Sequence, residues 1–142
     1  DSTITSVEYS IVINQKEDVV MEIKLFDSEL KVMEILWNKG EMKAKDLASV
    51  LAETNDWKKS TSYTVIKKCV DKGIIQRKDW EFTCVPLITR EEVQEYGTKE
   101  LLNKYYKGSV VDLVTHLLGH GYTSKEDISS LRDMIVKYKS KG

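Results

Sequence analysis

The sequence is poor in several features whose scarcity limits what the protein can be. It has one proline, Pro86, and two cysteines, Cys69 and Cys84. No apolar run approaches the roughly 20 residues that span a bilayer, and none resembles a signal-peptide core. We therefore expect a cytoplasmic protein whose two thiols are buried and reduced.

The sequence also lacks the patterns of common catalytic and cofactor sites. It shows no combination of nucleophile, base and orienting group, and no glycine-rich phosphate loop. His116 and His120 have the i, i+4 spacing that can place two imidazoles on one metal. However, Gly119 and Gly121 interrupt that helix and no further ligand completes a site, so ordinary surface or interface histidines are the plainer interpretation. We expect no enzymatic activity, no cofactor and no metal.

What the sequence does have is a basic segment in an otherwise acidic chain. Residues 57–82 contain seven Lys or Arg and three Asp or Glu, a net charge of plus four, whereas the whole chain has a net charge of minus one. A local basic surface of this kind is expected of a specific DNA contact.

Apolar spacing predicts three helices and a hairpin over residues 21–88. The helices begin near Asp27 or Ser28, near Ala44 and near Lys59, and the third ends at Lys72 before Gly73. The hairpin strands run over residues 74–78 and 82–87. The predicted fold class is mainly α, with an N-terminal winged helix-turn-helix, a β-hairpin wing and a C-terminal three-helix dimerisation region.

Polar side chains on the third helix and the wing form the predicted DNA-binding surface. Hydroxyl and tyrosine groups can bond phosphates or base edges, and lysine neutralises phosphates. The predicted DNA-binding residues are Lys58, Lys59, Ser60, Thr61, Tyr63, Thr64, Lys67, Lys68, Arg77 and Lys78. Of these, Thr61, Tyr63, Thr64 and Lys67 are predicted to contact operator DNA, and those predicted to lie on phosphate are Lys58, Lys59, Lys68, Arg77 and Lys78. A solvated face on a core helix remains the simpler alternative. Trp80, at the hairpin tip, could pack on sugar or shield the hairpin.

Residues 89–142 are predicted to form three helices that bury their apolar side chains against a second copy, because so short a unit buries too little surface alone. Capping boxes that pair Thr89 with Glu92 and Thr123 with Glu126 are predicted to begin two of these helices, and Ser109 is the predicted cap of the helix between them. The predicted dimerisation residues are Leu101, Leu102, Tyr105, Val110, Leu113, Val114, Leu117, Leu131 and Ile135.

Residues 1–20 are interpreted as a translated leader or an extension. Val7, Tyr9, Ile11 and Ile13 alternate as in a strand. The segment from Lys16 to Asp18 can be encoded by a sequence that resembles a bacterial ribosome-binding site, at a suitable distance before a start codon for Met21. Intact mass of the natively expressed protein tests this hypothesis, since a mass that includes Asp1 excludes it.

Several of these segments resemble the BlaI/MecI penicillinase-repressor family. The resemblance is carried by Leu30–Trp37 (LKVMEILW), by Thr61, Thr64 and KGII at 72–75, and by LLNK at 101–104 with later apolar positions. It covers about residues 26–138. It implies a homodimeric repressor of β-lactam-resistance genes that binds an inverted repeat as its operator. It also implies a membrane sensor-protease system and cleavage within the dimerisation region.

The chain departs from the family pattern at three places. Ser62 stands where relatives have a branched apolar residue, which predicts looser packing or a rotated helix. The family's scissile Asn-Phe pair aligns with His116 and Leu117, so these two residues are the candidate cleavage site. The paired Cys-x-Cys motifs of copper-responsive relatives are missing, which disfavours copper sensing.

The leading hypothesis is therefore a winged-helix homodimeric repressor, and the alternative is a winged-helix protein-interaction module that does not bind DNA. Binding to a palindromic duplex across salt concentrations separates the two hypotheses. The face assignment predicts that Lys67→Ala weakens binding.

Overall fold

The structure is a computed structural model that describes residues 11–13, 19–21 and 23–141. Helices dominate these residues, in agreement with the mainly α class that the sequence predicts. The elements in chain order are β1 (Ile11–Ile13), β2 (Val19–Met21), α1 (Asp27–Lys39), β3 (Met42–Lys43), α2 (Ala44–Asn55), α3 (Lys59–Lys72), β4 (Ile75–Arg77), β5 (Thr83–Pro86), α4 (Arg90–Tyr106), α5 (Val110–Gly119) and α6 (Lys125–Lys141).

The first two strands form an antiparallel pair in which Val12 lies opposite Val20. Ile11 and Ile13 thus lie in a strand, as their alternation predicts. Val7, Tyr9 and the segment from Lys16 to Asp18 lie outside the described residues. The chain divides into two compact units, one ending at Thr98 and one beginning at Lys99, and helix α4 continues through the division.

The N-terminal unit is built around a core that α1, α2 and α3 share with a small sheet. Val32, Met33 and Leu36 of α1 pack with Leu47 and Leu51 of α2, all of them buried. From α3 and the strands come further buried members: Val65, Ile66, Cys69, Ile74, Ile75 and Cys84. The spacing of Leu30, Met33, Leu36 and Trp37 predicts one apolar stripe on α1, but Leu30 is exposed. Three helices and a sheet packed in this order form the winged helix-turn-helix that the sequence predicts.

The sheet contains a third strand that the sequence pattern did not reveal. Its order is β3-β5-β4, both pairs are antiparallel, and Cys84 of the central strand lies opposite Met42 on one side and Arg77 on the other. A strand of two residues is too short to show a period of two, and only tertiary pairing identifies it.

Both cysteines are buried, as predicted. Burial raises the pKa of the Cys69 thiol to about 12 and that of Cys84 to about 11. The thiols are consequently neutral near pH 7 and behave as small apolar core groups.

In the C-terminal unit, side-chain caps begin two helices. The Ser109 hydroxyl accepts a hydrogen bond from the Asp112 N–H at 3.0 Å, as the sequence predicts. At α6 the reciprocal cap joins Ser124 and Asp127, each side chain accepting from the other's N–H at 3.0 Å, so the predicted pairing of Thr123 with Glu126 is wrong by one residue.

No helix within the described ranges is long and apolar enough to cross a membrane.

Candidate nucleic-acid interface

The candidate DNA-binding surface is the side of α3 that faces away from the core. Ser62, Val65, Ile66 and Cys69 are buried, which leaves the opposite side of the helix to solvent. Residues three or four apart on a helix lie on one face. The exposed residues on that side include Ser60, Thr61, Thr64, Lys67, Lys68 and Asp71. The structure thus brings five of the predicted contacts onto one accessible surface: Ser60, Thr61, Thr64, Lys67 and Lys68.

Thr64 lies at the centre of this surface. Its hydroxyl donates to the Ser60 carbonyl at 2.8 Å, so the methyl group and the oxygen lone pairs remain for a ligand. Tyr63 lies to one side and is half-buried against the core, with the Lys59 ammonium 5.9 Å from its ring centre.

The N-terminal end of α3 carries two exposed lysines. Lys58 occupies the N-cap position and its side chain makes no capping hydrogen bond, so the N–H groups of the first turn point outward beside Lys58 and Lys59. Amide donors, the helix dipole and two ammonium groups all favour an anion here, and DNA phosphate is such an anion.

An ion pair fixes the other end of α3. The Lys72 ammonium lies 2.6 Å from Glu29 Oε1 and donates to the Lys24 carbonyl at 2.9 Å. Glu29, which is 3% exposed, also accepts from the Phe26 N–H at 2.9 Å, and Lys72 lies 4.8 Å from the centre of the Phe26 ring. Lys72 is thus neutralised by Glu29 and contributes less free charge to the basic segment than the sequence suggests.

Replacing Lys72 by methionine is expected to lower the free energy of unfolding by about 2–3 kcal/mol. The change leaves the Glu29 carboxylate buried without its cation. The loss in the free energy of unfolding is smaller than for a pair in which both partners are fully buried. Urea unfolding measures the effect. Lys68→Met, one turn earlier on the same helix and exposed, is the control and should change stability by less than about 0.5 kcal/mol. Equal losses in the two variants would show that the ion pair is unimportant.

Ser62 is an unusual core residue of α3. It is fully buried, and its hydroxyl is the one buried side-chain oxygen or nitrogen among the described residues that has no hydrogen-bond partner. The faces of α3 nevertheless agree with the prediction, since Val65 and Ile66 are buried while Thr64 and Lys67 are exposed. Ser62 therefore does not rotate α3, and its effect is confined to the packing of the core around an unpaired hydroxyl.

Ser62→Ala is expected to stabilise the protein by about 1 kcal/mol beyond the gain in helix propensity, because it removes an unpaired buried hydroxyl. Ser60→Ala, at an exposed position of the same helix, is the control for propensity. Thermal or urea unfolding of both variants gives the difference. A gain no larger than that of Ser60→Ala would mean that the hydroxyl is satisfied in solution.

The wing carries the remaining predicted contacts. Arg77 is exposed and its guanidinium lies 4.3 Å from the centre of the Phe82 ring. The Lys78 ammonium lies 3.2 Å from Glu41 in a pair exposed on both sides. Such a surface pair stabilises little, so a phosphate can replace the carboxylate at small cost. Lys43 pairs with Glu81, a contact that raises the pKa of Lys43 through its hydrogen bond to that carboxylate.

The C-terminal unit leaves its apolar residues uncovered. From Lys99 to Lys139, no described side chain is buried. Of the predicted dimerisation residues, Leu102, Leu113 and Leu117 are half-buried, and the others are exposed: Leu101, Tyr105, Val110, Val114, Leu131 and Ile135. Monomeric proteins rarely expose so many neighbouring apolar side chains.

The candidate cleavage residues lie on α5. His116 and Leu117 are half-buried, and the His116 ring stacks on that of His120 with centres 4.3 Å apart and planes at 20°. Tyr106 and Tyr122 each lie 6.0 Å from His116. Within the described part of the chain, no three His, Cys, Asp or Glu side chains are grouped as metal ligands.

Comparison with known proteins places the chain in a family. The model of the penicillinase repressor family matches residues 25–137. The chain belongs to the penicillinase repressor family. This is a family of transcriptional repressors rather than enzymes.

Individual family members are similar over most of their length. The penicillinase repressor of Bacillus licheniformis is 23% identical over 120 residues, which are 83% of this chain and 94% of the relative. The methicillin resistance regulatory protein MecI of Mammaliicoccus sciuri is 28% identical over 116 residues, 80% of this chain and 94% of the relative. The solution structure of the DNA-binding domain of the repressor BlaI matches with a TM-score of 0.45 and 22% identity, covering 49% of this chain and 87% of that domain.

The contacts that position this surface join residues far apart in the sequence. Glu29 and Lys72 are 43 residues apart, and Lys78 and Glu41 are 37 apart. Periodicity carries no information at such separations. An acidic residue among the buried positions of α1 was the one available signal, because a buried carboxylate requires a partner.

Proposed function

We propose that this family member is a homodimeric transcriptional repressor that binds a palindromic operator and controls β-lactam-resistance genes. The observation that carries DNA binding is the exposed surface of α3, where Thr64 is flanked by Ser60, Thr61, Lys67 and Lys68. In this arrangement α3 enters the major groove, and the residues that contact phosphate are Lys58, Lys59, Lys68, Arg77 and Lys78.

The uncovered apolar side chains of the C-terminal unit support the homodimer. Burying a leucine or isoleucine side chain contributes about 1.5–3 kcal/mol, so a second copy that covers several of them stabilises both protomers. Two-fold symmetry then presents two α3 helices to successive major grooves, which is why we infer a palindromic operator. The names of the penicillinase and methicillin-resistance relatives support the choice of regulated genes.

Proteolysis within α5 is the proposed release step, by a membrane sensor-protease system. Cleavage between His116 and Leu117 would separate Leu131 and Ile135 from the rest of the protomer and so weaken the dimer. Because both residues lie inside a helix, α5 must open locally before a protease can bind an extended segment. Mass spectrometry of the fragments formed in cells exposed to a β-lactam tests the site, since termini outside α5 would contradict it.

Selection of duplexes from a random pool, followed by fluorescence anisotropy at several salt concentrations, tests the main proposal. A palindromic consensus is expected. If the five candidate phosphate contacts of each protomer, Lys58, Lys59, Lys68, Arg77 and Lys78, each neutralise one phosphate, the slope of log K against log salt reaches about −9. No enrichment of any sequence, together with a flat salt dependence, would favour a protein-interaction module.

A further inference from the structure

Helix α4 begins in the N-terminal unit and carries the chain across the boundary into the C-terminal unit. Its start is held on the core by Ile88, which is buried and whose carbonyl accepts from the Trp37 indole N–H at 2.9 Å. The predicted capping box is present, since the Glu92 N–H donates to the Thr89 hydroxyl at 3.0 Å and the Glu92 carboxylate accepts from the Thr89 N–H at 2.9 Å. The first turn of α4 therefore has a fixed position on the core.

Arg90 adds a side-chain clamp between α4 and α1. Its guanidinium donates to both carboxylate oxygens of Glu34, at 3.4 and 3.0 Å, and to the Asn38 side-chain oxygen at 2.7 Å. The guanidinium carbon also lies 5.4 Å from the centre of the Trp37 ring. An exposed ion pair by itself stabilises little, but a planar group that binds several partners on one helix face fixes an orientation. We call Arg90, Glu34 and Asn38 the α4 clamp.

Gly97 interrupts α4 about two turns after Arg90. Glycine is the least favourable residue in a helix interior after proline. A positive φ or a close neighbour can require it, but Gly97 is helical and exposed, and a Cβ added there would meet no atom of the described residues within 4 Å. The boundary between the two units falls directly afterwards, between Thr98 and Lys99. The glycine therefore contributes conformational freedom to α4 rather than packing.

A bend at Gly97 disrupts little packed surface. Val93, which packs against the core, lies before Gly97, and from Gly97 to the end of α4 no side chain is fully buried. Conformational change in proteins is often absorbed at a few such positions. On DNA, one base pair added between two half-sites moves them apart by about 3.4 Å and rotates them by about 35°. A dimer whose connecting helices bend can follow such a change, whereas rigid helices cannot.

We propose that α4 sets the range of half-site spacings that the dimer accepts, with the α4 clamp fixing the start of the helix and Gly97 allowing a bend beyond it. This inference rests on the proposed function. Arg90 and Gly97 are positioning residues, because they act through the placement of α3 on each half-site rather than by contact with DNA. Their effects are opposite in sign, since the clamp narrows the range and the bend widens it.

Operators with one or two base pairs added or removed between the selected half-sites test the proposal. Fluorescence anisotropy gives the Kd at each spacing. Gly97→Ala should bind the best spacing as tightly as wild type. At a spacing changed by one base pair it should lose about tenfold more affinity than wild type, because both protomers must bend a stiffer helix. Gly119→Ala in α5 is the matched control, since a Cβ there also meets no described atom within 4 Å, and it should keep the wild-type profile.

Arg90→Met should have the opposite effect on the spacing profile. Methionine keeps an apolar stem near Trp37 and removes the bonds to Glu34 and Asn38. Affinity at the best spacing should fall about threefold, and its dependence on spacing should become flatter. Exchanging the charges, Glu34→Arg together with Arg90→Glu, should restore the wild-type profile, which a general loss of stability would not predict.

Hydrogen exchange of the free protein gives a readout that needs no DNA. Amides around Gly97 should exchange faster than those near Arg90, and Gly97→Ala should slow them.

Three results would overturn the inference and leave the proposed function intact. They are a Gly97→Ala profile equal to that of wild type, an Arg90→Met affinity that falls equally at every spacing, and slow exchange around Gly97 in the wild-type chain. Failure of the wild-type chain to bind any duplex would instead reject the proposed function, and the inference with it.

Discussion

A chain in which Leu131 and Ile135 are both replaced by aspartate is expected to be monomeric and to bind operator at least 100-fold more weakly. Both residues are exposed in the protomer and lie four apart on α6, in line with Ile128 and Tyr138. Their burial against a second copy would become the burial of charge, which is strongly unfavourable. Loss of the dimer removes the gain of about 10²–10⁴ in affinity that two linked half-sites provide.

Analytical ultracentrifugation and fluorescence anisotropy measure the two effects. Ser129→Asp with Ser130→Asp is the matched control, because it adds the same two charges at exposed positions of the same helix outside that line. The control should remain dimeric with operator affinity within about threefold of wild type. Circular dichroism checks that helix content is retained in both variants. A dimer that survives the first pair of substitutions would place the interface elsewhere.

Lys67→Ala is expected to weaken operator binding by at least about 30-fold. One side chain at the groove is worth roughly 1–3 kcal/mol in each half-site, and a dimer loses it twice. Lys67 is exposed on α3 in line with Ser60 and Thr64, so its removal leaves the core unchanged. Unfolding midpoints should therefore agree between the variant and wild type.

Asp71→Asn provides a control of opposite sign on the same helix. Asp71 is exposed four residues after Lys67, and its carboxylate repels the DNA backbone. Its neutralisation should tighten binding by a few-fold. Fluorescence anisotropy measures the affinity of Lys67→Ala and Asp71→Asn for specific and random duplexes. If Lys67→Ala leaves affinity for both duplexes unchanged, α3 does not face the groove as proposed.

The helices were predictable from sequence because each one has local signals. Helices α1, α2 and α3 begin at Asp27, Ala44 and Lys59, near where apolar spacing predicted. The predicted cap of α1 at Asp27 or Ser28 is wrong, since Phe26 occupies the N-cap position and makes no side-chain capping hydrogen bond. The strand at Met42 was missed because two residues show no period, and the α6 cap was misassigned because Ser124 and Thr123 offer equivalent hydroxyls. The choice between them depends on where the backbone turns.

The residues of the candidate site could be predicted from the sequence, but the net charge that they expose could not. The exposed face of α3 followed from the spacing of Val65, Ile66 and Cys69, since the residues between them must face solvent. The neutralisation of Lys72 by Glu29 could not be derived from spacing, because it joins the start of α1 to the end of α3. It reduces the free charge of the basic segment and fixes the end of the helix.

Sequence by itself determined the family, the helix boundaries and the side of α3 that is available to DNA. These properties follow from local periodicity and from residue types, both of which can be read along the chain. Tertiary structure alone decided that Ser62 is buried without a partner, that Lys72 is neutralised and that Trp80 stands in solvent. These three properties depend on which groups from distant parts of the sequence lie within a few ångströms of the side chain. Burial and charge pairing are set by those neighbours and not by the type of residue.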